Sequence, residues 1–551
     1  MRRNEDEMDN QKLADLLFPE VVNTPEYYEE KFPYRKLPNK AEVTRMAPSP
    51  TNLYSALADE RIAHRNGGVF YLRIEDTDEK RKVDGAVETI INVLRYFDIE
   101  FDEGAGFDDT DPRNAYGPYF QRQRVEIYHT YAKSLVERGL AYPCFCTEEE
   151  LDKVRAKQEE DKVLTGYYGE YATCRNLSYE EIEANIKAGK PYVLRLRSQG
   201  SPDKEITFVD AIKGEIKPEN IHDIVLLKKD GIPTYHFAHA IDDHLMRTTT
   251  VVRGGEWLAS APIHYELFHL LGFKMPAYAH TAHLMKFDEE TGGKRKLSKR
   301  KDPELSLDYY RKDGYHPYTM KVYLLTLLNS NFEEWHEKFP DKDINEFPFS
   351  VEKMNQSGAL FDKDKLHNIC KNELSKLSEE ELYDFLYDWA KENEPENVEK
   401  WFGDREKMLQ ILRLYMGVGA KRRRKDLMYA KQIFELISYF FDGESAEEMD
   451  EFKLDEDMVS KILKSYLAKY DHNDDNSVWF NKLKEIADEH GFASDMKAYK
   501  ANPENFKGNV SDIAEAVRIA VTGRANTPDL WTIVHIMGEE QMTERIKKHI
   551  K

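Results

Sequence analysis

The sequence has few cysteines, no long apolar run and no excess of positive charge. Only four of its 551 residues are cysteines, at Cys144, Cys146, Cys174 and Cys370, which is too few for a scaffold built on disulfides. No apolar run is long enough to span a bilayer. The charged start, MRRNEDEMDNQK, is not followed by the apolar segment of a secretory signal. We therefore expect a cytoplasmic protein with no membrane partner.

The balance of charge excludes one further class. The formal net charge is −22, which argues against a protein that coats nucleic acid unspecifically. A local basic surface on an acidic body could still bind phosphates. With 33% charged and 40% hydrophobic residues, the chain is expected to be globular, and its length predicts several domains because it exceeds what one core supports.

The pattern of apolar residues changes along the chain. The first 40 residues are polar and acidic and are interpreted as an N-terminal extension. Strand patterns at Val43–Met46 and Val69–Ile74 then precede an amphipathic helix at Asp84–Asp98, which is typical of an α/β domain. A Cys-containing, Lys/Glu-rich segment from about 142 to 223 is interpreted as an insertion. After Pro303 the pattern is helical almost throughout.

Four short motifs occur in a particular order along the chain. They are RMAPSPT at Arg45–Thr51, GGVFYLRIEDTD at Gly67–Asp78, PTYHFAHAIDDHLM with VVRGGEWL between Pro233 and Leu258, and KLSKR at Lys296–Arg300. This ordered set resembles the class I aminoacyl-tRNA synthetases and, within them, the glutamyl-tRNA synthetases of bacterial type. The resemblance extends over nearly the whole chain from about residue 41.

The resemblance implies a Rossmann-like α/β catalytic domain with an inserted α+β acceptor-binding domain, followed by an all-α anticodon-binding region. The expected boundaries are 1–40 for the extension, 41–127 and 231–300 for the two catalytic halves, 128–230 for the insertion, 301–345 for a stem-contact region and 346–551 for the anticodon-binding region. The implied reaction activates glutamate with ATP and Mg²⁺ to glutamyl-adenylate. The glutamyl group then passes to the 3′ end of tRNA(Glu). We expect a monomer whose partners are tRNA(Glu), glutamate and ATP.

The candidate catalytic loop is the KLSKR stretch. Amino-acid activation brings a carboxylate and the ATP phosphates together, so positive charge and positioning must carry the site. In the family a mobile Lys-x-Ser-Lys loop closes on ATP, and Lys296, Ser298 and Lys299 match it. Lys299 is the residue expected to act on ATP, and Pro48 is expected to contact it. A basic pentapeptide alone is more often a solvated loop, so this assignment depends on the upstream motifs.

The resemblance also implies a glutamate pocket. Its expected residues are Arg45, Ser49, Glu75, Tyr235, His239 and Arg253. Arg45 would pair with the substrate carboxylate, a task that suits the bidentate guanidinium better than a lysine. Glu75 would receive the substrate ammonium group. His239 stands where the family usually has asparagine, so its role is open.

One element of the family pattern is missing. The family continues from APSPT through a glycine to a His-x-Gly motif that packs against ATP. Here Thr51 is followed directly by NLYSALADERIAH, and His64 does not replace the motif. Two explanations stay open. The molecule lacks the segment and is impaired in adenylate formation, because groups that act as a unit fail together, or the printed sequence omits a loop.

Three cysteines form a candidate zinc site. Cys144 and Cys146 are a Cys-x-Cys pair, and Cys174 follows. Thiolates at such spacing suit tetrahedral zinc, and the resemblance implies Tyr168 as the fourth ligand, while Asn176 stands where a histidine would otherwise be. The insertion could equally bind no metal and keep three reduced, buried thiols.

A basic run is the candidate tRNA contact. Arg422, Arg423 and Arg424 lie in GVGAKRRRK and could contact phosphates, although such a run is more often a solvated surface. The helical pattern of 340–551 argues against two relatives: an enzyme that glutamylates a modified tRNA base, and a glutaminyl-tRNA synthetase with its β-barrel anticodon region. A catalytically impaired tRNA-binding paralogue and a non-discriminating enzyme that also charges tRNA(Gln) remain alternatives.

Overall fold

The structure is a computed structural model that describes residues 2–47, 53–78, 85–108, 110–201, 207–216, 220–288, 290–298, 301–441 and 449–551, without the side chains of 2–8, 86 and 307. The chain divides into two compact units. The first comprises Met1–Tyr309 with Lys321–Asp362, and the second Tyr310–Met320 with Lys363–Lys551.

The described helices and strands follow one another along the chain. The helices are α1 (Arg2–Leu17), α2 (Pro25–Lys31), α3 (Leu53–His64), α4 (Ala86–Tyr96), α5 (Val125–Glu137), α6 (Glu148–Glu160), α7 (Tyr179–Lys187), α8 (Tyr235–Leu245), α9 (Ala261–Leu271), α10 (Leu307–Asp313), α11 (Pro317–Leu328), α12 (Phe332–Lys338), α13 (Lys363–Leu374), α14 (Glu379–Asn393), α15 (Val398–Phe402), α16 (Arg405–Met416), α17 (Ala430–Ile437), α18 (Glu456–Lys469), α19 (Asn476–His490), α20 (Met496–Ala501), α21 (Val510–Thr522), α22 (Leu530–Met537) and α23 (Glu539–Lys547). The strands are β1 (Val43–Met46), β2 (Val69–Leu72), β3 (Glu103–Gly104), β4 (Ala141–Cys144), β5 (Val193–Leu196), β6 (Phe208–Asp210), β7 (Gly214–Ile216), β8 (Val225–Leu227), β9 (Thr250–Gly254), β10 (Ala277–Thr281), β11 (Leu284–Phe287), β12 (Lys294–Lys296) and β13 (Ala359–Leu360).

Parallel strands form the centre of the first unit. β1 pairs with β2 and β2 with β3, all in parallel, and β9 pairs in parallel with β10. β1 and β9 start side by side, where the Thr249 amide donates a hydrogen bond to the Val43 carbonyl oxygen at 2.9 Å. The helix α3 packs against β1, β2 and β9. Strands covered in this way are apolar on both faces, as in VFYL of β2, and their carboxyl ends are where α/β folds bind ligands.

The insertion contributes antiparallel sheets to the first unit. β5 lies between β4 and β8 and pairs with both in antiparallel register. The helix α6 begins at a capping box formed by Thr147 and Glu150, which satisfies free amides at its first turn. β6 and β7 form a hairpin that lies against β10, because the Ala211 amide donates to the Tyr278 carbonyl oxygen at 2.7 Å.

The N-terminal extension is built into the first unit. Helices α1 and α2 both pack against α5, and Leu13, Ala14 and Leu17 of α1 are buried. Farther along, the Arg35 guanidinium donates to both carboxylate oxygens of Glu103, at 3.0 and 2.5 Å. The stretches FPEVV and YYEEKFPY within the otherwise polar extension are candidate docking patches, and Phe18, Val21, Tyr28 and Phe32 of these stretches are buried.

Helices α13 to α23 build the second unit around one continuous hydrophobic core. Gly417 ends α16 with a left-handed φ of 65°. A Cβ at this position would lie 2.9 Å from the Arg424 side chain and 3.0 Å from the Arg424 amide nitrogen, so glycine lets the chain fold back tightly. Among the residues that the structure describes, no helix combines the length and apolar character needed to cross a bilayer.

The predicted fold class is confirmed in its main features. An α/β region with parallel strands is followed by a helical C-terminal half. The helix expected at Asp84–Asp98 runs from Ala86 to Tyr96. The strand expected at Val69–Ile74 ends at Leu72, after which Ile74 continues as an isolated bridge to Phe120.

Candidate active site

A cavity of about 510 Å³ lies where β1, β2 and β9 end. The predicted residues that line it are Arg45, Glu75, Tyr235, Arg253, Lys296 and Ser298. They come from separate segments of the first unit, so the fold itself brings them together. Pro48, Ser49 and Lys299 lie outside the described residues.

Arg45 lies in β1 and is almost completely buried. Its Nε donates to Oδ1 of Asp243 at 3.3 Å, and Nη1 of Arg73 donates to the same oxygen at 2.6 Å. Burial alone would raise the pKa of Asp243, but the guanidinium groups of Arg73 and Arg45 hold it below its ordinary value. The carboxylate is therefore ionised and holds two buried cations in place. The sequence analysis missed Asp243 and Arg73, although an arginine directly after the apolar run VFYL was an available signal.

Glu75 supplies negative charge to the wall. Nη2 of Arg73 donates to Oε1 of Glu75 at 3.0 Å, and the Glu75 side chain is 9% exposed. Glu256 adds a second, more exposed carboxylate to the lining, and the guanidinium groups of Arg45 and Arg253 add positive charge. This set matches a small molecule that carries both an ammonium group and carboxylates.

Tyr235 and Arg253 are two further polar residues that line the cavity. Tyr235 is the first residue of α8, and Nη1 of Arg253 donates to its hydroxyl at 3.5 Å. The Tyr235 ring packs against Trp257 with 4.6 Å between ring centroids. Burial raises the pKa of the Tyr235 hydroxyl, so this group stays neutral and can donate a hydrogen bond.

His239 lies behind the cavity wall rather than in it. Its ring stacks on Tyr235, and its Nε2 lies 2.7 Å from the Tyr278 hydroxyl. Burial, followed by the charges of Arg45 and Arg253, lowers the pKa of His239 well below its ordinary value. The residue is therefore a neutral support of the pocket, and it is not among the residues that line the cavity.

The KLSKR loop is tied down by a buried carboxylate. β11 and β12 form an antiparallel hairpin that ends at Lys296. Asp302 accepts hydrogen bonds from the Ser298 amide at 2.7 Å and from Nη1 of Arg295 at 2.7 Å, and it pairs with Lys286 at 2.8 Å. The bonds from Arg295 first, and then that from Lys286, lower the pKa of Asp302 well below its ordinary value. Asp302 therefore holds Ser298 against the β11–β12 hairpin, and the sequence analysis missed it.

Polar side chains of the first two turns of α3 also line the cavity. They are Tyr54, Ser55 and Asp59. The Tyr54 hydroxyl and Oδ1 of Asp59 are buried and have no hydrogen-bond partner within the described structure. Burial raises the pKa of Asp59 well above its ordinary value, so its carboxyl is neutral and can donate. The junction at Thr51, where the His-x-Gly motif is missing, lies outside the described residues.

Two family models match the chain. One is described as tRNA synthetases class I (E and Q), catalytic domain, and it matches residues 42–368. The other is described as an anticodon binding domain and matches residues 381–550. The chain belongs to the class I tRNA synthetases for glutamate and glutamine.

Known relatives of this synthetase match it from end to end. The glutamate–tRNA ligase of Acetivibrio thermocellus is 54% identical over 98% of this chain and 100% of its own length. That of Clostridium perfringens strain 13 is 46% identical with the same coverage. A crystal structure of a glutamate tRNA ligase from Elizabethkingia meningosepticum, in complex with its amino acid, has a TM-score of 0.70 at 27% identity and covers 93% of this chain and 99% of that chain.

The three cysteines of the synthetase's insertion converge. The sulfur atoms of Cys144, Cys146 and Cys174 all lie within 4.8 Å of one another. The hydroxyl of Tyr167 lies 3.4 Å from Cys144 Sγ and 3.3 Å from Cys146 Sγ, and that of Thr173 lies 3.2 Å from Cys146 Sγ. Hydrogen bonds from Cys146 and Cys174 lower the pKa of the Cys144 thiol. The hydrogen bonds to Cys144 and Cys146 raise the pKa of the Cys174 thiol, so the cluster favours a thiolate at Cys144, which is the form that binds zinc.

Tyr168, the expected fourth ligand, does not reach the sulfur atoms. Its hydroxyl donates to the Leu164 carbonyl oxygen at 2.6 Å. Tyr168 has extended backbone, with φ −161° and ψ 161°, and neighbouring side chains in an extended segment point to opposite sides. The expected fourth ligand, Tyr168, therefore differs by one position from the tyrosine that the structure brings to the cluster, which is Tyr167.

A second cavity, of about 660 Å³, lies in the second unit between the end of α16 and α22. Arg422 and Arg424 line it and Arg423 does not. Trp531 and His535 form an aromatic wall, with 4.2 Å between their ring centroids. The two rings are tilted by 40°, and cationic side chains beside aromatic rings suit an unpaired nucleotide base with its phosphate.

Proposed function

We propose that this synthetase is a glutamate–tRNA ligase that makes glutamyl-adenylate from glutamate and ATP and then charges tRNA(Glu) for protein synthesis. The observation that carries the proposal is the charge set of the active-site cavity. Glutamate has two carboxylates and one ammonium group, and the cavity wall presents the guanidinium groups of Arg45 and Arg253 and the carboxylate of Glu75. Relatives with 54% and 46% identity that bear this name support it.

In the proposed first step, a carboxylate oxygen of glutamate attacks the α-phosphorus of ATP and pyrophosphate leaves. Arg45 orients the reacting carboxylate, Glu75 receives the ammonium group, and the Tyr235 hydroxyl donates to the bound amino acid. No covalent bond to the protein forms, so positioning and electrostatics supply the catalysis. Mg²⁺ accompanies ATP and balances charge on its phosphates.

The KLSKR loop is the proposed ATP clamp. Lys296 and Ser298 line the cavity, and the Ser298 amide donates to the Asp302 carboxylate. In the proposal, Lys299 neutralises the charge that develops on the departing pyrophosphate, and the preceding APSP loop, with Pro48 and Ser49, contacts ATP and glutamate. In the second step a ribose hydroxyl at the tRNA 3′ end attacks the adenylate carbonyl, and AMP leaves.

The helical second unit is the proposed reader of the anticodon. Arg422 and Arg424 would contact phosphate, and Trp531 would stack on a base. In the same proposal the insertion at 128–230 binds the acceptor stem. All proposed active-site groups come from one chain, so a monomer suffices, and the proposed place of reaction is the cytoplasm. The alternative to charging tRNA(Glu) alone is an enzyme whose anticodon contacts also accept tRNA(Gln).

Zinc is proposed as a structural ion in the insertion. The sulfur atoms of Cys144, Cys146 and Cys174 lie within 4.8 Å of one another, and the Tyr167 hydroxyl contacts Cys144 Sγ and Cys146 Sγ, so these four groups are the proposed ligands of a tetrahedral site. Elemental analysis should give about one zinc per chain, and Cys146→Ser should lower it together with the melting temperature. A fully folded protein without metal would refute this part of the proposal.

In this sequence Thr51 is followed at once by NLYSAL, without the His-x-Gly segment. This favours a second candidate, a tRNA-binding paralogue impaired in adenylate formation. Incorporation of labelled glutamate into purified tRNA(Glu) and tRNA(Gln), with and without ATP, separates the two. ATP-dependent charging of tRNA(Glu) supports the ligase. Tight tRNA binding with no charging supports the paralogue, and charging of both tRNAs identifies a non-discriminating enzyme.

A further inference from the structure

Arg253 is held by a histidine that is itself held by a carboxylate. Arg253 and His280 are register partners in the parallel pair of β9 and β10, and Nε of Arg253 donates to Nε2 of His280 at 2.9 Å. Nδ1 of His280 lies 2.6 Å from Oδ2 of Asp210. The other oxygen of Asp210 accepts the amides of Ile212 at 3.0 Å and Lys213 at 2.8 Å. His280 and Asp210 are both buried, so this chain of contacts is fixed.

These contacts define the protonation of the histidine. A carboxylate only accepts hydrogen bonds, so Nδ1 of His280 carries the proton and Nε2 presents its lone pair to Arg253. Burial lowers the pKa of His280, which keeps the ring neutral. Burial alone would raise the pKa of Asp210, but hydrogen bonds from His280 and from the Lys213 amide lower it. Asp210 is therefore ionised and His280 is a neutral acceptor.

A second histidine holds the other side of the guanidinium. Nη1 of Arg253 donates to Nδ1 of His264 at 3.1 Å. Because that nitrogen accepts, Nε2 of His264 carries the proton and donates to Nδ1 of His236 at 2.9 Å. Burial lowers the pKa of His264 well below its ordinary value, so this ring is also neutral. Nη2 of Arg253 donates to the Trp257 carbonyl oxygen at 3.4 Å.

The partners of Arg253 orient its charge without cancelling it. Within the described part of the chain, no carboxylate lies within 4.0 Å of the Arg253 guanidinium nitrogens, whereas Arg45 and Arg73 share the carboxylate of Asp243. A neutral imidazole fixes the direction of a guanidinium but leaves its full positive charge for another anion. The arrangement is thus suited to bind an incoming carboxylate.

We propose that His280 and Asp210 are positioning residues that hold the Arg253 guanidinium in the cavity wall as an oriented, uncompensated positive charge for a carboxylate of the substrate amino acid. This inference rests on the proposed function. Asp210 belongs to the β6–β7 hairpin, so a residue of the inserted segment acts on the amino-acid pocket through one histidine.

Three substitutions of one residue test the proposal. His280→Leu removes the acceptor, His280→Gln can offer an amide oxygen in its place, and His280→Glu supplies an acceptor that carries negative charge. Glutamate-dependent exchange of pyrophosphate into ATP, with tRNA(Glu) present, gives the KM for glutamate and for ATP. His280→Leu should raise the KM for glutamate about 10- to 100-fold, the usual effect of losing a hydrogen bond to a charged group. The KM for ATP should change by less than about twofold.

The two acceptor variants distinguish positioning from structure. His280→Gln should recover most of the lost glutamate affinity. His280→Glu should not, because its carboxylate would neutralise Arg253. Asp210→Asn should give a smaller rise in the same KM. His269→Leu, on the exposed side of α9, is the matched control and should behave as the wild type.

Several results would overturn the proposal. One is an unchanged KM for glutamate in His280→Leu, and another is a parallel rise in both KM values with no recovery in His280→Gln. Equilibrium dialysis with labelled glutamate provides a reading that needs no turnover and that can be made on Asp210→Asn if His280→Leu fails to fold. A wild type that binds glutamate but does not charge tRNA contradicts the proposed function alone. A wild type that binds no glutamate contradicts both.

Discussion

In the active-site cavity, Arg45 and Arg253 are almost completely buried. At the cavity of the second unit, by contrast, Arg422 is exposed and Arg424 is half-buried. The buried pair is fixed by side chains from distant parts of the sequence. The nearest charged partner of Arg424 is Asp426, whose Oδ2 accepts from Nε at 2.7 Å, only two positions away.

This difference reflects what each cavity has to recognise. A buried guanidinium loses its hydration, so it persists only where hydrogen-bonding partners replace water in a fixed geometry. The active-site cavity is therefore suited to a small amino acid whose atoms must be placed for reaction. Exposed arginines keep their hydration and their freedom to move, which suits a polyanion that approaches in several orientations but makes binding sensitive to salt.

Loss of Lys299, the lysine proposed to act on ATP, should have the largest effect. It would sharpen the comparison of the two cavities, because it should change adenylate formation and leave tRNA affinity nearly unchanged. Lys299→Ala should lower the rate of adenylate formation about 100- to 1000-fold, because a charge that acts only in the transition state is removed. Affinity for tRNA, which the second unit is proposed to provide, should stay within about twofold. Pyrophosphate exchange and filter binding measure the two quantities. Lys301→Ala, two residues along the same loop, is the control, and unchanged kinetics in Lys299→Ala would remove the assignment.

The second largest effect is expected from loss of Asp243, the carboxylate that Arg45 and Arg73 share. Asp243→Ala would leave Arg45 and Arg73 buried with no common anion and should lower the free energy of unfolding by about 3–5 kcal/mol. The measurement is denaturant unfolding at pH 7. Asp384→Ala, at an exposed position of α14, should change it by less than about 0.5 kcal/mol. If both variants were equally stable, the active-site cavity would not depend on its buried ion pairs, and the contrast with the second unit would fail.

The sequence predicted more of the fold and of the pocket wall than of what supports that wall. Arg45, Glu75 and Arg253 could be assigned because each lies in a recognisable motif at the end of a strand. Asp243 could not be assigned, because its pairing with Arg73 spans 170 positions and becomes visible only when the strands are side by side. His280 shows no local pattern at all, since its role is defined by register with another strand.

The zinc candidate illustrates a limit of a different kind. The convergence of three cysteines followed from their spacing, but the choice between Tyr167 and Tyr168 did not. Both are tyrosines, and only the phase of the extended backbone decides which hydroxyl faces the sulfur atoms. A shift of one residue along an extended segment reverses the direction of the side chain, so motif matching at this point was insufficient.

Neighbouring arginines allow a more sensitive test of the second cavity. Arg422 lines it and Arg423 does not, although both are exposed and carry the same charge. Arg422→Ala should raise the KM for tRNA about fivefold and reduce the dependence of binding on salt by about one ion. Arg423→Ala should have a clearly smaller effect on both. Equal effects would mean that the basic run acts as a diffuse charged surface and that the cavity itself does not select a phosphate.

The smallest effect concerns His64, the histidine nearest to the missing His-x-Gly motif. Hydrogen bonds to Asp102 and then to Glu60 raise the pKa of His64 to about 9. A raised pKa means that the charged ring stabilises the folded state fully below the ordinary pKa of 6.5. This contribution disappears as the pH rises through about 9.

The stability gap between the wild type and His64→Gln should accordingly be at most about 1 kcal/mol, because the ring is partly exposed. It should be present at pH 6 and absent at pH 10 in denaturant unfolding. Adenylate formation at pH 7.5 should be unchanged, since both ring nitrogens of His64 are already paired with carboxylates. A large loss of activity with no change in stability would instead mean that His64 contacts ATP. The active site would then contain a charged histidine beside histidines that are neutral.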